Sequence, residues 1–247
     1  MARRNARAAS LRDAGLVVTV EHARPDVPKG LDGLGLSKRV LESHFGWDPG
    51  AAIVGRMLAK EFDAPLHLGR WSRLVVDLNR SSFHPRLIAR TLEPGAKVVP
   101  GNRLDRVGRR ERREWFWRPW RDAVFADLEA AIESHGRVLH ISVHSFTHRL
   151  GREVRDREFG LLYKPSRPVE RAFADRLHAR LDDLGHRVWR NRPYSGLDDG
   201  HCMRLRAELP VTRYVGMEIE MNQRDVGDAA GARRLGRAVV AALRDDR

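Results

Sequence analysis

The chain has 247 residues, 42% of them hydrophobic and 32% charged, which is enough material for a sizeable core. Its net charge of +13 is carried almost wholly by arginine, since only five of the 46 basic residues are lysine. A single cysteine, Cys202, excludes an intrachain disulfide and a thiolate metal cluster, and no apolar run approaches the roughly 20 residues that span a bilayer. The start, Met1 to Ser10, is basic and lacks the apolar segment of a secretory signal. Residues 1–12 therefore read as a disordered basic lead-in and 13–247 as one domain, with a cytoplasmic location expected.

Short apolar runs then alternate with amphipathic stretches, the pattern of α/β architecture. A strand over 15–21, built on Val17-Val18-Thr19-Val20, runs into Glu21-His22. Beyond the breaker-rich stretch Pro25 to Gly35, helices are expected over 37–45 and 49–61. The second opens with Asp48-Pro49, an acid suited to the N-cap followed by proline at the first helical position. Strands follow over 64–69 and 73–78, the latter placing Arg73, Asp77 and Asn79 on one face, where Arg73 and Asp77 also suit a structural ion pair. After a loop from Pro94 to Gly101 comes a helix over 109–134 and the densest basic run, Arg103 to Arg121. Glu111 and Glu114 interrupt that run, as on a solvated helix face. Trp117, Trp120 and Val124 recur at helical spacing, which suits core packing better than stacking on bases.

A strand over 137–143 runs into His144-Ser145, followed by a strand over 158–163. The helix over 167–184 sets Val169, Phe173, Leu177, Leu181 and Leu184 on one face. A strand over 186–190, a loop from Arg190 to Gly200, a strand over 213–221 and a helix over 229–244 complete the chain. Glu218 and Glu220 lie two apart in the last strand and so share a face.

In an open parallel sheet the carboxyl ends of the strands face the ligand crevice. His22 and His144 both end strands and would project there. Paired carboxylates in an apolar strand are costly unless matched or bound to a cation. Each of these residues alone reads equally as a satisfied structural group. Together they point to a metal-dependent hydrolase.

Eight short motifs also occur in a characteristic order. They are Glu21-His22 with Val27-Pro28; Leu34-Gly35-Leu36-Ser37; Trp47-Asp48-Pro49-Gly50-Ala51; and Ser72-Arg73 with Asp77 and Asn79-Arg80. Pro100-Gly101-Asn102-Arg103, His144-Ser145-Phe146, Asn191 with Pro193-Tyr194-Ser195, and Glu218-Ile219-Glu220 follow. This set resembles the N-formylglutamate amidohydrolases over nearly the whole chain. The resemblance implies an α/β fold with a mixed, largely parallel sheet flanked by helices, similar to the phosphorylase/hydrolase-like fold of zinc carboxypeptidases and aspartoacylases. It also implies a zinc-dependent hydrolase acting on the linear amide of an N-acyl amino acid.

Carried over by motif, His22 and His144 match metal ligands and Asp48 the third, although Asp48 also suits a helix cap. Glu220 matches the general base, with Glu218 in support. Asn79 and Arg80 resemble a clamp for the substrate carboxylate, while Tyr194 and Ser195 fall among the substrate contacts. Arg73, or Arg80, is placed to steady an oxyanion or grip a carboxylate. Many members carry Asn where this chain has Pro25, which offers no side-chain oxygen; that departure points to altered specificity. His148 and His201 lie near the motifs without a spacing argument for either.

The expected partner is therefore a small anionic N-acyl amino acid, with no membrane. Deacylation of another small metabolite or peptide is the alternative within enzymes. A different class, a nucleic-acid-binding protein with a vestigial pocket on the same fold, draws on the charge and the pI of about 11.0. The completeness of the ligand and base set argues against nucleic acid. Oligomeric state is open.

Overall fold

A computed structural model describes residues 11–93 and 97–244. In chain order these form β1 (Gly15–Val20), α1 (Lys38–Leu41), α2 (Ala51–Glu61), β2 (Leu66–Leu68), α3 (Arg106–Arg112), α4 (Arg118–His135), β3 (Val138–Phe146), β4 (Arg149–Leu150) and β5 (Glu153–Val154). There follow β6 (Phe159–Leu162), α5 (Pro168–Asp183), β7 (Val188–Arg190), α6 (His201–Glu208), β8 (Tyr214–Asn222), α7 (Gln223–Val226) and α8 (Ala229–Arg244). Six strands make one sheet in the order β2-β1-β3-β8-β6-β7, and β4 pairs with β5 in a separate hairpin. All neighbours in the sheet are parallel except β6 against β8. This is the mixed, largely parallel sheet flanked by helices that the sequence led us to expect.

The period-two alternation of β1, β3 and β8 decides what each face of the sheet does. Leu16, Val18 and Val20, then Leu139, Ile141 and Val143, then Val215, Met217, Ile219 and Met221 point one way, into the main core. There they meet Val54 and Leu58 of α2, Phe173 and Leu177 of α5, and Leu235 and Val239 of α8. The opposite face is apolar only near the amino ends of the strands. Val17, Val138 and Tyr214 pack there against Val124 and Leu128 of α4 and Leu205 of α6. Further along, this face carries Thr19, His140, Ser142, His144, Glu218 and Glu220. Register sets Thr19 opposite Ser142, Ser142 opposite Glu218 and His144 opposite Glu220. A polar row on three fully buried strands, β1, β3 and β8, thus follows from alternation.

Several expectations change. Residues 73–78 form turns rather than a strand. The Ser72 hydroxyl accepts from the Leu74 amide, Val75 N donates back to Ser72 O, and Asp77 N donates to Leu87 O. Leu74 to Leu78 fill small loop cores instead of pairing with β2. Arg73, Asp77 and Asn79 are therefore gathered by a turn, not by the shared face of a strand. The helix expected over 37–45 is limited to Lys38–Leu41. The helix expected from 109 starts at Arg106 and includes a π turn, Arg113–Trp117, between α3 and α4. Leu184, expected on the buried face of its helix, is the C-cap residue and is exposed. His144 lies inside β3, which runs on to Phe146.

The basic lead-in falls largely on residues 1–10, outside the described residues, while Leu11 is fully buried in the main core. Among the described residues, no helix is long and apolar enough to cross a membrane.

Candidate active site

His22 is the second residue beyond β1, and its carbonyl accepts from Asp48 N at 2.9 Å. This bond draws the Trp47-Asp48 segment across the carboxyl end of the sheet. Gly50 then turns the chain into α2 with a φ of +79°, where a Cβ would lie 2.5 Å from Val226 O. Gly50, not Asp48, is the N-cap of α2, and no side chain caps that helix. The Asp48 carboxylate is instead free of the helix and buried between two imidazoles. Its Oδ2 lies 3.3 Å from His22 Nδ1 and 2.9 Å from His144 Nδ1. The three potential ligand atoms of His22, Asp48 and His144 lie within 4.8 Å of one another.

The far side of each imidazole is also held. His22 Nε2 donates to Asp77 Oδ1 at 2.7 Å, while Asp77 Oδ2 accepts from Arg73 Nη2 at 2.9 Å. His144 Nε2 is 2.9 Å from Ser142 Oγ and 3.3 Å from Glu21 Oε2. Each ring thus turns Nδ1 toward Asp48 and ties Nε2 to an oxygen, the arrangement that orients metal-binding histidines. Two nitrogens and a carboxylate oxygen fit the donor set of a zinc site.

Five carboxylates are buried around this point: Glu21, Asp48, Asp77, Glu218 and Glu220. Burial would raise the Asp48 carboxyl, but the charges and hydrogen bonds of His22 and His144 hold it well below its usual range. Burial opposes Glu21 and Asp77 likewise, yet His144 and His201 hold the first low, and Arg73 and His22 the second. Burial would lower His144, but its bonds to Asp48 and Glu21 keep it charged well above its usual value. In the metal-free chain that imidazolium supplies the positive charge the carboxylates demand. Burial raises both Glu218 and Glu220, Glu220 to about 8, because the charges of His144 with Arg206 for the first and with Arg73 for the second only partly offset it. Glu220 Oε2 is buried with no hydrogen-bond partner among the described residues.

A cavity of about 530 Å³ opens over these groups. His22, Asp48, His144, Glu218 and Glu220 line it together with Arg73, Asn79, Arg80, Tyr194 and Ser195, so all ten site residues expected from the sequence meet in one place. Arg80 is held by Nη1 donating to Asp199 O at 2.6 Å, and its own carbonyl accepts from Trp117 Nε1 at 3.0 Å. The π turn ends on that tryptophan. Asn79 Oδ1 accepts from His201 N at 2.7 Å, which leaves its amide NH₂ for other partners. Asn191, at a φ of +48°, accepts from the amides of Tyr163 and Gly196 and so shapes the loop that carries Tyr194 and Ser195. Tyr194 Oη accepts from Arg155 Nη1 at 3.2 Å.

Asn102 of the fifth motif is structural: it is fully buried and donates to the carbonyls of Leu74 and Ala89. His148 binds the carbonyl of Arg155 and does not line the cavity. Asp77 and Glu21 are the residues that sequence reasoning missed as partners of the histidines. Ser142, two before His144 on a strand, and Glu21, beside His22, carried a local signal. Asp77 carried none, because only the turn delivers it.

The sequence pattern of the N-formylglutamate amidohydrolases matches residues 14–226. A protein of Agrobacterium tumefaciens is 31% identical and similar over 96% of this chain and 93% of its own, with a TM-score of 0.80. An N-formylglutamate amidohydrolase from Ralstonia eutropha has the same fold at 20% identity, over 94% of this chain and 93% of its own, with a TM-score of 0.77. None of the curated proteins matches the sequence. With the family pattern spanning every element of the site from His22 to Glu220, the chain belongs to the N-formylglutamate amidohydrolase family and is a hydrolase of amide bonds.

Proposed function

We propose that this hydrolase is zinc-dependent and cleaves the amide of a small N-acyl amino acid, with N-formylglutamate as the type substrate. The observation that carries the reading is the convergence of His22 Nδ1, Asp48 Oδ2 and His144 Nδ1 beneath a cavity that also holds an unpartnered carboxylate, Glu220. His22, Asp48 and His144 would hold the metal. When bound, zinc with three protein ligands keeps a position open, acidifies water and polarises the scissile carbonyl.

The remaining work belongs to the chain. Glu220 Oε2 would accept the proton of the attacking water and return it to the leaving amine nitrogen. Burial raises this carboxyl, and a nearby cation would bring it back toward neutrality, the range suited to such shuttling. Glu218, next on the same face, would support it through charge. Arg73 neutralises Asp77 and faces the cavity, where its planar fork suits an oxyanion or a carboxylate. The Asn79 amide and Arg80 would grip the substrate carboxylate, with Tyr194 and Ser195 closing the mouth. Arg73, Arg80 and Arg86 of the lining would attract an anionic substrate group.

A second reading, hydrolysis of a larger N-acyl metabolite or peptide, is favoured by the size of the cavity, which exceeds what a formylated amino acid fills.

The test is a panel of N-formyl and N-acetyl amino acids, short N-acyl peptides and their carboxyl amides, turned over by zinc-loaded protein. Free acids should be the better substrates. Arg80→Lys should cost the acid strongly and its amide little, because Lys cannot reproduce a bidentate grip. Equal losses would move the clamp to Arg73. No turnover of any acyl amino acid, with tight binding of RNA or DNA at physiological salt, would overturn the reading.

A further inference from the structure

We infer that Glu21 is the positioning residue for His144, a buried carboxylate behind the candidate ligands that holds the His144 Nε2 proton through Ser142 and so leaves Nδ1, the nitrogen facing Asp48, as the one that gives up its proton to a metal. This rests on the metal reading above and concerns residues that do not touch the substrate.

Among the described residues two groups have the spacing of a metal site: His22, Asp48 and His144, and, deeper, Glu21, His140 and His201. Hydrogen-bond direction separates them. Glu21 is fully buried. Its Oε1 accepts from Thr19 Oγ1 at 2.8 Å and from His201 Nδ1 at 2.9 Å, and its Oε2 accepts from Ser142 Oγ at 2.8 Å. A hydroxyl has one proton. With both hydroxyl protons directed at Glu21, the two oxygens can only accept from elsewhere. Ser142 Oγ therefore accepts from His144 Nε2 at 2.9 Å, and Thr19 Oγ1 accepts from His140 Nε2 at 2.9 Å. His140, so protonated on Nε2, takes the Tyr214 hydroxyl proton on Nδ1 at 2.8 Å.

Every bond in this network has one direction, and all of them run toward Glu21. In the deeper group the nitrogens that face Glu21 are thereby all donors, while His201 Nε2, turned away from it, is buried without a hydrogen-bond partner among the described residues. His140 Nε2 and His201 Nδ1 both carry protons, so neither offers a lone pair beside Glu21. The outer group differs in place: Nδ1 of both histidines converges on one carboxylate oxygen at the wall of the cavity, where a cation can take the place of the His144 Nδ1 proton. Thr19, Glu21, Ser142 and His144 are brought together by alternation on adjacent parallel strands, so the geometry is set by the sheet. The same network reaches the substrate side. His201 binds Glu21 with its ring and Asn79 with its amide nitrogen, which fixes the Asn79 side chain relative to the ligands.

The test uses the full chain loaded with zinc, the metal affinity measured by chelator competition and the ring nitrogens of His144 observed by ¹⁵N NMR. In the unsubstituted protein His144 should be protonated on Nε2 and ligated through Nδ1. Glu21→Gln should weaken zinc binding by about 10- to 100-fold, the usual scale for removing such a partner, and should shift the His144 Nε2–H signal. Ser142→Ala should do the same to a smaller degree. A merely structural role would lower the Tm of the metal-free variants and leave both readouts unmoved. Folded Glu21→Gln and Ser142→Ala proteins with unchanged zinc affinity and unchanged His144 signals would overturn the positioning role alone. If Glu21→Gln does not fold, Ser142→Ala and the unsubstituted spectrum decide, and a His144 protonated on Nδ1 overturns it. An unsubstituted chain that takes up no zinc would overturn the metal reading itself.

Discussion

Glu218 and Glu220 share a strand face and a cavity, yet their surroundings differ. Glu220 lies opposite His144 in the register and keeps a buried oxygen without a partner, whereas Glu218 lies one pair deeper, opposite Ser142. Glu220→Gln should therefore retain zinc and fold while kcat falls by roughly 100-fold or more, the scale of a lost general base. Glu218→Gln should cost less, and the reverse order, measured by steady-state kinetics, would exchange their roles. Asp48 was the ambiguous residue of the sequence. Asp-Pro before a helix is the local signature of a cap, and only the long-range approach of His22 and His144 tells it from a ligand. Because its carboxylate caps nothing, Asp48→Asn should leave metal-free helix content unchanged by circular dichroism and weaken zinc binding by at least tenfold, through loss of a charged ligand. Unchanged affinity would remove Asp48 from the site. His22, His144 and Glu220 were legible because strand alternation is a local rule. The pairing of His22 with Asp77 was not, because 55 residues and a turn separate them.

At the scale of elements, β1, β3, β6, β7 and β8 followed from short apolar runs, and α2, α5 and α8 from three- and four-residue spacing. The run Leu74-Val75-Val76 misled because β-branched residues suit any small buried core, and Ser72 turns the backbone before a ladder can form. Helix α6 escaped notice because it is short and mixes Arg with its buried His201, Cys202 and Leu205. The connections that bring Asp48 and the 79–80 pair to the sheet end are turns, and turn chemistry places them. Gly50 is one such point. Gly50→Ala would combine a left-handed backbone with a 2.5 Å approach to Val226 O. It should lower stability by more than about 1 kcal/mol and weaken zinc binding, since Asp48 enters the site two residues earlier. A Tm and a zinc affinity both equal to those of the unsubstituted protein would contradict this view of the turn.

For the whole molecule, the buried carboxylates make stability, charge and metal one problem. In the metal-free chain Glu220 is pushed up to about 8 by burial, and His144 is held well above its usual value by Asp48 and Glu21. Unfolded, both groups have released their protons by about pH 7.5. The folded chain then binds more protons than the unfolded one, so its stability falls as pH rises. We expect the Tm of chelator-treated protein to drop progressively as pH rises from about 5 through 8, Glu220 contributing from the unfolded carboxyl range up to its folded value and His144 adding above about 6.5, and to drop less in Glu220→Gln, which removes one of the two groups. Cys202, raised by burial, acts in the same direction only above the ordinary thiol range. Zinc binding requires a neutral His144 and so removes that group's share of the drop. A metal-free Tm that is flat or rises over this range would contradict the raised values.

The central claim is that His22, Asp48 and His144 hold one catalytic metal. It is tested most directly by titrating chelator-stripped protein with zinc while following both bound metal and turnover of an N-acyl amino acid. The account predicts that both saturate together at about one zinc per chain, and that the double variant His22→Ala with His144→Ala neither binds nor turns over. Stoichiometric zinc retained by the double variant, or full turnover by the stripped protein, would contradict it.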